Sequence, residues 1–155
     1  MKIKWKTLLI CIAVPLGVGL ISSLLTRDSM EAFMSLEKPS LSPPAILFPI
    51  VWTILYVLMG VASYLVVVSG MPYRSRTALT VYGIQLFFNF MWSIIFFNLE
   101  MYLLAFVWLC ALLILIILNT FLFYSIKKSA GILLIPYILW VTFAGYLNFS
   151  IYLLN

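Results

Sequence analysis

Residues 37–52 read EKPSLSPPAILFPIVW, in which a Glu-Lys pair and four prolines lead into an apolar run that continues to residue 68. Pro39 disfavours helical geometry at Lys38, and Pro43 does the same at Ser42, so the chain is expected to arrive stiff and straight. Ser42 is placed to cap the helix that follows. Pro43 and Pro44 are tolerated in a first turn, where amide donors have no helical partner. The run from 46 to 68 has the roughly 20 residues that a helix needs to cross about 30 Å of hydrocarbon. The stretch therefore reads as a polar threshold before a membrane span.

Four further stretches share that length and character, at about 7–26, 77–97, 101–124 and 131–154. Sixty-six per cent of the 155 residues are hydrophobic and only 8% charged, more apolar surface than a soluble domain of this size can hide. The expected fold is an all-α membrane protein: a five-transmembrane-helix bundle, one domain over 1–155, with a short, partly helical loop at 27–45 between the first two spans. Within the loop, Met30, Phe33, Met34 and Leu36 make a short amphipathic turn. No room remains for a soluble catalytic domain, so function must sit between the helices or beneath that loop.

The opening MKIKWK precedes an apolar run of about 20 residues that contains Pro15, Gly17 and Gly19, with no small-x-small cleavage site after it, and reads as a retained first helix. Its small residues suit close helix approach. Cys11 and Cys110 fall inside spans and form no metal or disulfide pattern. Five crossings would gather Lys2, Lys4, Lys6, Arg74, Arg76, Lys127 and Lys128 on one side. Arg27, Lys38 and all four acids, Asp28, Glu31, Glu37 and Glu100, fall on the other. By the positive-inside rule this predicts a multi-pass protein of the cytoplasmic membrane, amino terminus inside, loop 27–45 and carboxyl terminus outside. Glu37 and Lys38 would hold the loop among the outer headgroups. The net charge of +5 is explained by topology and membrane lipid, and no nucleic-acid-reading element is present.

Three spans carry organised stripes. Phe48, Trp52, Tyr56 and Gly60 recur at steps of four. Gln85, Asn89, Trp92, Ser93 and Phe96 place two carboxamides, an indole and a hydroxyl on one face; in hydrocarbon such groups face neighbouring helices or a cavity. Pro136, Trp140, Phe143, Ala144 and Leu147 share a third face, with Tyr137 and Asn148 at its edges. Trp108 and the Asn119-Thr120 pair of the fourth span read as packing and inter-helix bonding. There is no histidine, and the spans hold no ionisable acid or base beyond their ends. An axial-histidine haem, a Ser-His-Asp hydrolase, a His-ligated zinc and a carboxylate proton relay all lack their parts. What these stripes can build is an apolar, aromatic cavity suited to a flat hydrophobic ligand.

LEKPSLSPP (36–44), VWTILYVLMG (51–60), QLFFNFMWSIIFF (85–97) and LIPYILWVTFAGYLN (134–148) together resemble the TspO/MBR family, the tryptophan-rich sensory and translocator proteins that include the peripheral benzodiazepine receptor. The resemblance implies a bacterial member with a five-helix bundle, a homodimer, and in each protomer a cavity closed by the first loop. It further implies binding of porphyrins and isoquinoline-type compounds, with no cofactor required and no metal. By position the ligand-binding residues would be Phe48, Trp52, Tyr56, Asn89, Trp92, Ser93, Trp140, Phe143, Ala144 and Leu147. Trp52 and Trp140 would stack on the ligand, Asn89 would supply a polar contact and Ala144 would set the local width. The chain departs from the family where a loop tryptophan is usual, carrying Leu41 there, and Ala32-Phe33 at an earlier aromatic pair. Leu41 is therefore where ligand preference or lid closure is expected to differ. The steroid motif is incomplete, with Phe149 at its tyrosine position and no basic residue following.

The function expected is a membrane receptor for protoporphyrin IX-like tetrapyrroles, bound without an axial histidine. One alternative is light- and oxygen-dependent porphyrin breakdown at the same cavity, for which Trp52 and Trp140 would be the oxidisable residues. Another is transport of small hydrophobic molecules, against which stands the lack of an inverted repeat and of any intramembrane charge.

Overall fold

The computed structural model describes residues 2–155. Five helical stretches are long and apolar enough to cross a membrane. The elements are α1 (Trp5–Thr26), a 3-10 turn (Arg27–Ser29), α2 (Met30–Ser35), α3 (Leu47–Val67), α4 (Pro72–Ser93), a π turn (Ile94–Asn98), α5 (Tyr102–Ile126), α6 (Lys128–Ile132) and α7 (Ile135–Leu154). α1 packs chiefly on α3, while α5 lies between α4 and α7. The chain is a multi-pass membrane protein.

The spans run where hydropathy puts them, but their ends obey other rules. α4 begins at Pro72, ahead of the apolar boundary at 77, because Pro72 fits a first turn and Arg74, Ser75 and Arg76 continue the helix outside hydrocarbon. Apolarity marks the bilayer rather than the helix. The last span divides into α6 and α7, since Pro136 has no amide hydrogen to continue the ladder and α7 restarts with that proline in its first turn. Ser42 is not a helix cap. Its amide donates to the Pro39 carbonyl at 3.0 Å, bending the chain into a turn, and α3 starts at Leu47 without a side-chain cap. Two consecutive prolines keep Ser42 and Pro43 extended, so the helix can begin only beyond them. Pro49 then sits in the first turn of α3.

Glycines set the closest helix approach. A Cβ on Gly60 would lie 2.5 Å from the Ile12 Cα, and one on Gly19 would enter the Tyr56 ring. α1 and α3 are therefore in near-backbone contact at Gly60 and Ile12, and the α1 backbone at Gly19 lies directly against the Tyr56 ring, as small residues allow in membranes. At the end of the bundle that carries the basic residues, the Lys4 amide donates to the Tyr64 hydroxyl at 3.0 Å.

The segment between α1 and α3 forms a lid across the opposite end. Asn98 donates to the Leu25 carbonyl at 2.9 Å and accepts from the Ser29 hydroxyl at 2.8 Å. Asn155 donates to the Glu37 carbonyl and accepts from its amide, at 2.9 and 3.1 Å. Lys38 turns inward: its Nζ donates to the carbonyls of Phe33, Met34 and Leu36 and lies 4.7 Å from the Phe33 ring centre. The lysine thus satisfies the orphan carbonyls that end α2.

Candidate functional site

Beneath the lid lies a cavity of about 820 Å³, within the range of roughly 300–1,000 Å³ typical of small-molecule sites. One wall is aromatic. Trp52 of α3 stacks on Tyr56 at 5.6 Å and stands 6.4 Å from Trp92 of α4, which stacks on Phe96 at 5.4 Å. The π turn then brings Phe97 as well as Phe96 against Phe33 of the lid, at 5.2 and 5.9 Å. Glu100, with φ of 53°, ends this irregular segment in left-handed geometry, which is uncommon for a residue other than glycine.

The other wall is α1 and the lid, which contribute Leu16, Gly19, Leu20, Met30 and Met34 among others. Of these, Leu16 and Leu20 did not stand out in the sequence, while Met30 and Met34 were read only as part of an amphipathic turn of the loop. In a chain this apolar, a leucine facing a cavity looks like one facing lipid, and only the aromatic or polar side of a site leaves a signature. Gly19 had a signal, as a small residue at mid-span, but not one that named Tyr56 as its neighbour.

Of the ten residues expected at the site, Phe48, Trp52, Tyr56, Trp92, Ser93, Ala144 and Leu147 line the cavity. Asn89, Trp140 and Phe143 are not among its lining residues. Trp140 packs edge-on to Phe48 at 5.8 Å, with Phe143 5.7 Å away. Asn89 accepts from the Tyr56 hydroxyl at 2.9 Å and donates to the Tyr137 hydroxyl at 2.8 Å; Tyr137 in turn donates to Gln85 at 2.8 Å. The two carboxamides are fully buried, and the network joins α3, α4 and α7. Helical spacing put these groups on one face correctly. It could not show that Tyr56 and Tyr137 would occupy them before any ligand.

Asn148 and Ile151 extend the wall on α7 beyond Leu147. Asn148 accepts from the Trp92 indole N–H at 3.1 Å and donates to the Tyr102 carbonyl at 2.8 Å, which fixes the indole plane. Leu41, by contrast, is 68% exposed and does not line the cavity. The place of the missing loop tryptophan is on the outside of the lid.

The sequence of this five-span chain has counterparts among known proteins. The TspO/MBR family model matches residues 11–154. The chain belongs to the TspO/MBR family. It is 40% identical to a tryptophan-rich protein TspO of Chlorobaculum tepidum over 96% of each chain. It is 41% identical to the protein of the same name from Archaeoglobus fulgidus, over 90% of this chain and 91% of the relative. The human translocator protein is 31% identical over 91% of this chain and 85% of its own. Family membership and the bundle agree on a multi-pass membrane protein.

Proposed function

We propose that this TspO/MBR member is a membrane sensor or receptor that binds porphyrins, and isoquinoline-type hydrophobic molecules, in the cavity under the lid. The observation that carries the reading is the continuous aromatic wall from Trp52 through Trp92 and Phe96 to the lid residue Phe33, facing an uncharged space. A flat π-system gains both apolar burial and ring stacking there, each worth about 0.5–1.5 kcal/mol or more per aromatic contact. Trp52, Trp92, Phe48 and Tyr56 would touch the ligand, with Ser93 as a hydroxyl contact and Ala144 and Leu147 setting the width. Asn89 would act through Tyr56, Trp140 through Phe48, and Phe143 through Trp140. A titration of protoporphyrin IX into the protein in lipid nanodiscs, read by the porphyrin's own absorption, tests this. Saturable binding that Ala144→Phe weakens by about tenfold or more is expected; no saturable binding by the wild type overturns it.

The degradative alternative has one observation in its favour, the contact of Trp52 with the oxidisable rings of Tyr56 and Trp92. Illumination of the complex in air separates the two: a spectrum that changes only on illumination, and not in Trp52→Phe, favours breakdown over binding. The same proposal places the basic end of the bundle in the cytoplasm, because seven lysines and arginines gather there against two at the lid end. It also takes the working form to be a homodimer in the cell membrane, which light scattering of the nanodisc-free protein would check.

A further inference from the structure

We propose that ligands reach this cavity sideways from the hydrocarbon, through a slot between the lid-end halves of α1 and α3, and not from water through the lid. The inference rests on the cavity being a ligand site and concerns how that site is served.

Three observations converge. First, the tight contacts of α1 with α3 lie at Gly60, backbone against the Ile12 backbone, and at Gly19, backbone against the Tyr56 ring; beyond Gly19 toward the lid, Leu20 and Ser23 of α1 line the cavity. Second, the cavity is bordered there by residues that are themselves open to the outside of the bundle. Leu20 on α1 is 62% exposed and Ile46, before α3, is 69% exposed, and both line the cavity. Ser23 of α1 and Pro49 and Thr53 of α3 are likewise exposed cavity-lining residues. A side chain that touches both the interior space and the surroundings marks an opening; Met30 and Met34 of the lid do so as well, so what singles out the slot is its uncharged rim and the fastening of the lid. This rim carries no charge, so an apolar molecule crosses it without stripping water from an ion. The Thr53 hydroxyl is already satisfied by the Pro49 carbonyl at 2.7 Å.

Third, the lid is fastened at both of its ends. Asn98 ties its beginning to Leu25 and Ser29, Asn155 ties Glu37 by a two-way backbone pairing, and Lys38 locks the end of α2. Opening it would break these bonds together, whereas among the described residues no hydrogen bond joins Leu20 or Ser23 to Ile46, Pro49 or Thr53 across the slot. A porphyrin or similar flat molecule already concentrates in the bilayer, so the slot faces the phase in which its ligand is dissolved.

Stopped-flow binding of protoporphyrin IX to the protein in nanodiscs tests the route, because an entrance governs rates while the walls govern affinity. Ser23→Phe and Thr53→Phe, each narrowing the slot, should slow association and dissociation alike by about tenfold while the Kd shifts less than about threefold. Asn98→Ala with Asn155→Ala, which frees the lid, should change association by less than about twofold. The opposite pattern, faster association on freeing the lid and no effect of either slot variant, overturns the proposal. A second measurement needs no porphyrin, and so stays informative if the wild type binds none and the receptor reading fails. In nanodiscs of phosphatidylcholine brominated in mid-chain, acyl chains at an open slot should quench a larger share of wild-type tryptophan emission than that of Thr53→Phe or Ser23→Phe. Equal quenching, as a second copy of the chain seated over the slot would give, overturns it.

Discussion

The two walls of the cavity are built on different principles. The wall formed by α3, α4 and α7 is aromatic and tied behind by the chain Tyr56–Asn89–Tyr137–Gln85 and by the Trp92–Asn148–Tyr102 bonds. The wall formed by α1 and the lid is mainly aliphatic, with Phe33 its one aromatic ring and Ser22, Ser23 and Thr26 among its hydroxyls, half open to its surroundings, and held by contacts at its margins. Buried, mutually satisfied polar groups fix a unique arrangement, so the first wall can recognise a shape. The second is made mainly of flexible aliphatic side chains and can let a molecule past. Under the proposed function, the contrast gives recognition to one side of the cavity and access to the other.

The contrast breaks most severely where the walls meet. Gly60→Val would place a methyl group against the backbone of α1, which cannot yield as a side chain can. Overpacking of this kind costs about 1–3 kcal/mol and at backbone contacts more. In a thermal shift assay in detergent, the variant should lose more melting temperature than any single substitution in the lid or in the buried hydrogen-bond network. Tyr137→Phe comes next. It leaves the Asn89 Nδ2 and the Gln85 Oε1 buried without their partner, a loss of about 1–2 kcal/mol. Porphyrin affinity should fall with it, because Tyr56 and the Trp52 stacked on it lose their fixed support. Affinity unchanged in a destabilised Tyr137→Phe would show that the network holds the bundle and not the recognition wall.

Asn155→Ala removes both bonds to Glu37 at the rim of the soft wall and should cost about 0.5–1 kcal/mol. Hydrogen exchange should quicken in the lid, residues 27–46, and not in α4 or α7. Leu41→Trp, which restores the family's loop tryptophan, is expected to have the smallest effect. Leu41 lies outside the cavity, so the change should leave the porphyrin Kd within about twofold.

How much of this could be read in the sequence divides along the same line. All five spans were legible because runs of about 20 apolar residues have few other uses. Much of the aromatic wall was legible because tryptophans, carboxamides and hydroxyls at helical spacing are conspicuous in an apolar chain. The α1 side was not: Leu16 and Leu20 carry no mark that separates them from lipid-facing neighbours. Depth was also hidden. The 3.6-residue period places Trp52 and Trp140 on inward faces alike, but not that Phe48 would stand between Trp140 and the space. Lys38 shows a third limit, since a lysine beside a glutamate reads as surface charge until the end of α2 is known to lie within its reach.

The central claim, that the Trp52–Trp92 side of the cavity recognises the ligand, is tested most directly by comparing Trp52→Phe with Trp140→Phe in a protoporphyrin IX titration followed by porphyrin absorption. Both changes keep an aromatic ring, so each asks only whether the indole touches the ligand. Trp52→Phe should weaken binding by about five- to tenfold, and Trp140→Phe by less than about twofold. Equal losses, or a larger loss at Trp140, would contradict the account.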